Sequence, residues 1–129
     1  MILDTSFIVD LLRGNKKAID KIAEFENKNE HVSTTTISVF EIWQGLPKKS
    51  RENQIEKTRE LFQSINILKF DLESAVKAGE IHRKLKLNGK VIDPEDSMIA
   101  GIAKTHNEIV LTRNQKHFSR IKDLKIEIY

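Results

Sequence analysis

Apolar positions fall into two alternating rhythms along the chain. Short continuous apolar runs, MILD, HVSTT, ILKF, EIVLT and LKIEIY, read as buried or β-prone strands. Between them lie stretches with helical spacing. SFIVDLLR predicts a first helix, with Thr5 or Ser6 as its cap and Gly14 ending it in the C′ position. Ala18, Ile19, Ile22, Ala23 and Phe25 predict a second helix over Lys16 to Lys28. ISVFEIWQGL, IEKTRELFQSI and LESAVKAGEIHRKLKLN predict three more, the last stopped by Asn88-Gly89, while the polar PKKSRENQ reads as a turn. Pro94 suits the first turn of the helix PEDSMIAGIAKTH, and QKHFSRI reads as a short helical turn before the final strand.

Strands alternating with helices point to an α/β protein whose parallel sheet is covered on both faces. No repeat, low-complexity tract or linker divides the chain, so residues 1–129 read as a single domain. Composition narrows the chemistry. The absence of cysteine excludes disulfides, thiolate catalysis and cysteine zinc sites. No apolar run approaches the ~18 residues that span a bilayer, and no basic stretch precedes an apolar one at the N-terminus. A cytoplasmic protein is therefore expected, without a membrane partner. A net charge of only +3 permits nucleic acid as a partner without demanding it.

In an open α/β sheet, ligands bind beyond the carboxyl ends of the strands. Asp4 ends the first strand, Glu41 lies in the helix after the second, Asp96 opens a helix just after Asp93-Pro94, and Asn114 follows EIVLT. A parallel sheet would let all of them meet at one edge. Each also has a plainer reading. Asp96 suits the helix dipole, worth about 0.3–1 kcal/mol, and Asp93 suits an N-cap. Ser38-Val39-Phe40-Glu41 matches a capping box, and Asp4 could serve turn chemistry.

Two features favour a shared cleft. Val39, Phe40, Ile42, Trp43 and Leu46 spread over an arc of about 160°, wider than the ~100° stripe of a surface helix, which predicts a mostly buried helix around Glu41. Asp96 is followed by Ser97-Met98-Ile99-Ala100-Gly101-Ile102-Ala103, small and apolar on nearly every side. Converging carboxylates ~4–5 Å apart would repel by about 3–4 kcal/mol per pair at an effective dielectric of 20, so a cation must sit among them or their pKa values must rise. Oxygen ligands favour Mg²⁺ or Mn²⁺. His31, His82, His106 and His117 show no zinc-motif spacing, which argues against zinc. Carboxylates holding Mg²⁺ are an apparatus for phosphodiester hydrolysis.

DTSFIVDLLRG, TTTISVFEIWQG, IDPEDSMIAGIA and LTRNQKHFSRI, in this order, resemble the PIN domain, and more narrowly the VapC toxins of toxin–antitoxin pairs. The resemblance implies a three-layer α/β/α sandwich with a central parallel sheet. It implies a metal-dependent endoribonuclease with Asp4, Glu41, Asp96 and Asn114 as catalytic residues. Asp4 and Asp96 would be the principal Mg²⁺ or Mn²⁺ ligands, with Glu41 completing the cluster. At the Asn114 position PIN domains often carry an Asp, so the resemblance implies a cluster with one negative charge fewer here. Ser6 fits a slot that orients the first carboxylate, with Thr112 and Arg113 as supporting residues. Asp93 either joins the cluster or caps the helix, and capping is the favoured reading. Asp4 is then expected to hold a metal while Thr5 or Ser6 caps.

The resemblance also implies an RNA substrate, a homodimer and a cognate VapB-type antitoxin. Three basic groups could touch RNA: Lys48, Lys49 and Arg51; Arg83, Lys84 and Lys86; and Arg113, Lys116 and Arg120, which flank the expected cleft. Ile8, Leu11 and Leu12 with Trp43 and Leu46 are either core or partner-facing surface. The alternative to an enzyme is a catalytically silent PIN-like module that binds RNA or protein, which Asn114 makes conceivable.

Overall fold

A computed structural model of the chain describes residues 1–48 and 52–129. Among the described residues the elements follow one another as β1 (Ile2–Leu3), α1 (Thr5–Leu12), α2 (Lys16–Asn27), β2 (Ser33–Thr35), α3 (Thr36–Gln44), α4 (Glu52–Ser64), β3 (Asn66–Leu68), α5 (Leu72–Leu87), α6 (Pro94–His106), β4 (Val110–Thr112), α7 (Gln115–Phe118) and β5 (Ile126–Ile128). All strand pairs are parallel, in the order β3-β2-β1-β4-β5. The chain steps outward from β1 through β2 to β3, then returns to the other side of β1 for β4 and β5. The strand order therefore switches direction between β1 and β4, which is where an open α/β sheet forms its crevice.

The strands are short but dry, and their side chains alternate between two cores. Ile2 and Val110 point into a cluster with Ile81, Leu85, Ile99, Ile102 and Phe118 from α5, α6 and α7. Leu3 and Leu111 point the other way, against Phe7, Ile8, Ala18 and Phe25 from α1 and α2, with Ile42 of α3. Sheet and helices thus form the expected three-layer sandwich. Buried Ser33, Thr34 and Thr35 give β2 polar side chains, each with a partner: the Thr34 hydroxyl, for example, donates to the Leu3 carbonyl at 2.8 Å.

Local signals explain the helix ends. Arg13 closes α1 and Gly14 follows at φ +75°, where the Gly14 and Asn15 amides donate back to Leu11 and Asp10. Gly89, at φ +65°, ends α5 in the same way, and Pro94 opens α6. Three expectations are corrected. The cap of α1 is Asp4 itself, whose carboxylate accepts from the Phe7 amide, not Thr5 or Ser6. The cap of α3 is Thr35, which accepts from the Ser38 amide, so Ser38-Val39-Phe40-Glu41 is no capping box. Nor is α3 mostly buried, because Phe40 and Trp43 are 63% and 42% exposed. Lys49 and Arg51 of the expected basic turn lie outside the described residues.

Candidate metal centre

The topology puts the expected acids at one edge of the sheet, and among the described residues the group whose ligand atoms lie within 4.8 Å of one another is Asp93, Asp96 and His117, without Asp4 or Glu41. Asp4 leaves the end of β1, Thr112 and Asn114 leave the end of β4, Glu41 stands on the α3 helix that follows β2, and Asp96 stands in the first turn of α6. Asp4 is 3% exposed and held on three sides. Its Oδ1 accepts from the Ser6 hydroxyl at 2.7 Å and the Phe7 amide at 2.9 Å. Its Oδ2 accepts a short bond from the Thr112 hydroxyl, which in turn accepts from the Asn114 amide at 2.8 Å. Thr112 therefore locks the ends of β1 and β4 together through the Asp4 side chain. Glu41 is held by Thr5, whose hydroxyl donates to Oε1 at 2.7 Å.

Around Asp96 the chain assembles a group that spacing along the sequence could not reveal. His117 Nδ1 lies 2.7 Å from Asp96 Oδ2, and Asn114 Nδ2 lies 3.0 Å from the same oxygen. Asn114 Nδ2 and His117 Nδ1 are themselves 3.0 Å apart. Asp93 completes the group: a carboxylate oxygen of Asp93, one of Asp96 and a ring nitrogen of His117 lie within 4.8 Å of one another. Asp93 occupies the N-cap position of α6 yet makes no side-chain capping bond, which corrects the expectation that it caps. His117 is the one histidine of this group, and it reaches Asp96 from the separate helix α7, a placement that zinc-motif spacing does not test.

Electrostatics agrees with crowding. Burial raises the proton affinity of Asp4, against the lowering effect of Thr112, Phe7 and Ser6, and the charge of Asp96 raises it further. Glu41 is raised by burial and by the charges of Asp96, Glu95 and Asp4, with Thr5 opposing. Asp96 is raised by burial and by Asp93 and Glu95, with His117 opposing. Among the described residues none of these acids is paired with a Lys or Arg. Asp96 Oδ1 and Glu41 Oε2 accept no hydrogen bond among the described residues. Those open oxygens leave each carboxylate a coordination position for a divalent cation.

Arg113 is placed differently. Its Nη1 donates to both oxygens of Asp10, at 3.0 and 2.9 Å, so its partner is α1 and not the acid group. Tyr129 donates to Asp10 at 2.9 Å and sets its ring edge-on to Phe7 at 4.7 Å. This buried Asp10 network was absent from the sequence reading, and only the second acid in DTSFIVD hinted at it. Ile8 is fully buried and belongs to the core, which removes it from the candidate partner surface.

A small doubly wound sheet with an acidic group at its switch point narrows the class to α/β proteins that bind at the strand ends. The chain belongs to the PIN domain family, whose model matches residues 1–124. It is 30% identical to Ribonuclease VapC1 of Methanocaldococcus jannaschii over 129 residues, 100% of this chain and 86% of the relative. It is 25% identical to the tRNA(fMet)-specific endonuclease VapC of Salmonella typhimurium over 126 residues, 97% of this chain and 94% of the relative. Among solved structures, DNA-bound VapBC from Salmonella typhimurium superposes with a TM-score of 0.87 at 26% identity, over 98% of this chain and 96% of that one. VapBC2 from Rickettsia felis bound to a promoter DNA fragment gives 0.86 at 25% identity, over 99% and 97%.

Proposed function

We propose that this protein is the endoribonuclease toxin of a VapBC-type toxin–antitoxin pair, hydrolysing RNA phosphodiester bonds with Mg²⁺ or Mn²⁺. The observation that carries this reading is the gathering of acids at the switch point, where the charge of Asp96 raises the proton affinity of Asp4 and Glu41 and the charge of Asp4 that of Glu41. Support for RNA as substrate comes from the relatives named as ribonucleases. Support for an antitoxin partner comes from neighbours solved as VapBC complexes. A homodimer and a cytoplasmic setting are parts of the same proposal. Among the described residues no helix is long and apolar enough to cross a membrane.

Asp4 and Asp96 would hold the ion, with Glu41 beside them. A divalent cation bound there activates water and neutralises charge developing on phosphate oxygens. The protein's own contribution is rigidity. Thr112, Ser6 and the Phe7 amide fix the Asp4 carboxylate, Thr5 aims Glu41, and Asn114 holds Asp96. Arg113 is proposed to support the site at one remove, by tying the β4 end to α1 through Asp10.

The test is cleavage of total RNA by purified protein with Mg²⁺ or Mn²⁺, beside Asp4→Asn and Asp96→Asn. Loss of cleavage by about 100-fold or more in both variants is expected, with their folds intact. Cleavage equal to wild type in either variant would overturn the assignment, and no cleavage by wild type would favour the silent binding module.

A further inference from the structure

Asp96 Oδ2, Asn114 Nδ2 and His117 Nδ1 form a triangle with edges of 2.7, 3.0 and 3.0 Å. Hydrogen bonding alone cannot satisfy all three edges. If Nδ1 carries a proton and gives it to Asp96, it has no lone pair for the Asn114 amide. If Nδ1 is bare, its lone pair faces an oxygen of the ionised Asp96 across 2.7 Å. The edge lengths have another natural reading. Donor atoms in adjacent positions around an octahedral ion at ~2.1 Å stand about 3 Å from one another. A half-turn of the Asn114 amide presents its oxygen where the nitrogen now lies, giving a face of carboxylate oxygen, amide oxygen and imidazole nitrogen. Asp93 lies within reach of the same ion, with its carboxylate free of any capping bond.

Resting on the proposed metal-dependent site, the geometry points to His117 as a nitrogen ligand that makes this protein prefer Mn²⁺ to Mg²⁺. Mg²⁺ is small and hard, favours oxygen donors and gives up water reluctantly. Mn²⁺ accepts carboxylates and also tolerates imidazole, as the softer first-row metals do increasingly. Among the described residues the acids at the switch point have only one imidazole beside them. A partly exposed side chain on the short α7 helix, His117 can be replaced without opening a core.

The experiment measures metal binding without RNA. Chelator-stripped full-length protein is titrated calorimetrically with MnCl₂ and with MgCl₂, as wild type, His117→Gln, His117→Asp and Asp4→Asn. The Mn²⁺ complexes are examined by pulsed EPR for coupling to a directly bound imidazole nitrogen. Wild type should bind Mn²⁺ about tenfold or more tightly than Mg²⁺ and show the nitrogen coupling. His117→Gln should lose the coupling and most of the preference, while His117→Asp should restore Mg²⁺ binding through an all-oxygen set. Wild-type binding with no nitrogen coupling, or an unchanged preference in His117→Gln, overturns the role of His117 alone. No binding of either ion by wild type overturns the metal-dependent reading together with it. Asp4→Asn should weaken both ions and keep the preference for Mn²⁺, since it removes an oxygen and not the nitrogen; loss of the preference in Asp4→Asn would overturn the assignment of that preference to His117.

Discussion

Asp4 serves two structures at once. It caps α1 through the Phe7 amide and anchors β4 through Thr112, while its charge sits beside that of Asp96. Its place at the end of the first strand was legible in MILDTS, but its capping role was not, because Thr5 and Ser6 are equally good caps by composition. In the fold both hydroxyls are engaged elsewhere, Thr5 with Glu41 and Ser6 with Asp4. His117 was illegible for a different reason: its partner Asp96 lies 21 residues away on another helix. The raised proton affinities carry a testable sign. An acid whose pKa is higher in the folded than in the unfolded chain adds stability that is complete below the unfolded value, near 3.8 for Asp and 4.5 for Glu, and is lost as pH rises through the folded value. In chelator, the melting temperature should therefore rise as pH is lowered from neutral toward those unfolded values, and divalent ion added at neutral pH should recover the difference. Asp96→Asn should melt higher than wild type in chelator and lose the ion's effect. A simple helix-dipole residue gives the opposite sign, a small loss of under ~1 kcal/mol, so one set of thermal melts decides.

The α5–α6 pair shows what helical periodicity can and cannot say. PEDSMIAGIAKTH was readable as a helix, and its run of small residues as deep packing. Gly101 shows how deep: a Cβ built there would stand 2.5 Å from the Ser74 carbonyl oxygen and 2.8 Å from the Ala78 side chain. Exchanging Gly for Ala in an exposed helix gains up to about 1 kcal/mol. At this crossing, α5 and α6 would have to move apart, so Gly101→Ala should cost about 1–3 kcal/mol, read as a lower urea midpoint with unchanged slope. A stabilised variant would show that the two helices separate easily. The pattern misled at α3, whose wide apolar arc predicted burial. A helical wheel reports which faces are apolar, not whether another layer covers them, and Phe40 and Trp43 remain exposed. Strand ends were also shorter than the apolar runs, because pairing stops after two or three residues while side-chain burial continues into the flanking loops.

At the scale of the whole molecule, strand order links the acids to a neighbouring groove. The path from β1 through β2 to β3 carries α1, α3 and α4 to one side of the switch point, and between these helices lies a groove of about 320 Å³. Val9, Leu12, Ile42, Leu46 and Pro47 give it an apolar wall, and Glu41 lies on its rim. A peptide seated there by apolar side chains would end beside the acid group, which is how a proposed antitoxin could shut the cleft without entering it. Leu12 is the residue to change, since it is half-buried and faces the groove, whereas Ile8 one turn earlier is core. Leu12→Glu places a carboxylate against an apolar ligand and near Glu41. Affinity for the cognate antitoxin should fall at least about tenfold, or ~1.4 kcal/mol, while RNA cleavage by the free protein stays at the wild-type level. Isothermal titration and light scattering read affinity and oligomeric mass together. Wild-type affinity at unchanged mass would move the antitoxin to another face, and the exposed Phe40 and Trp43 of α3 would be the next surface to alter.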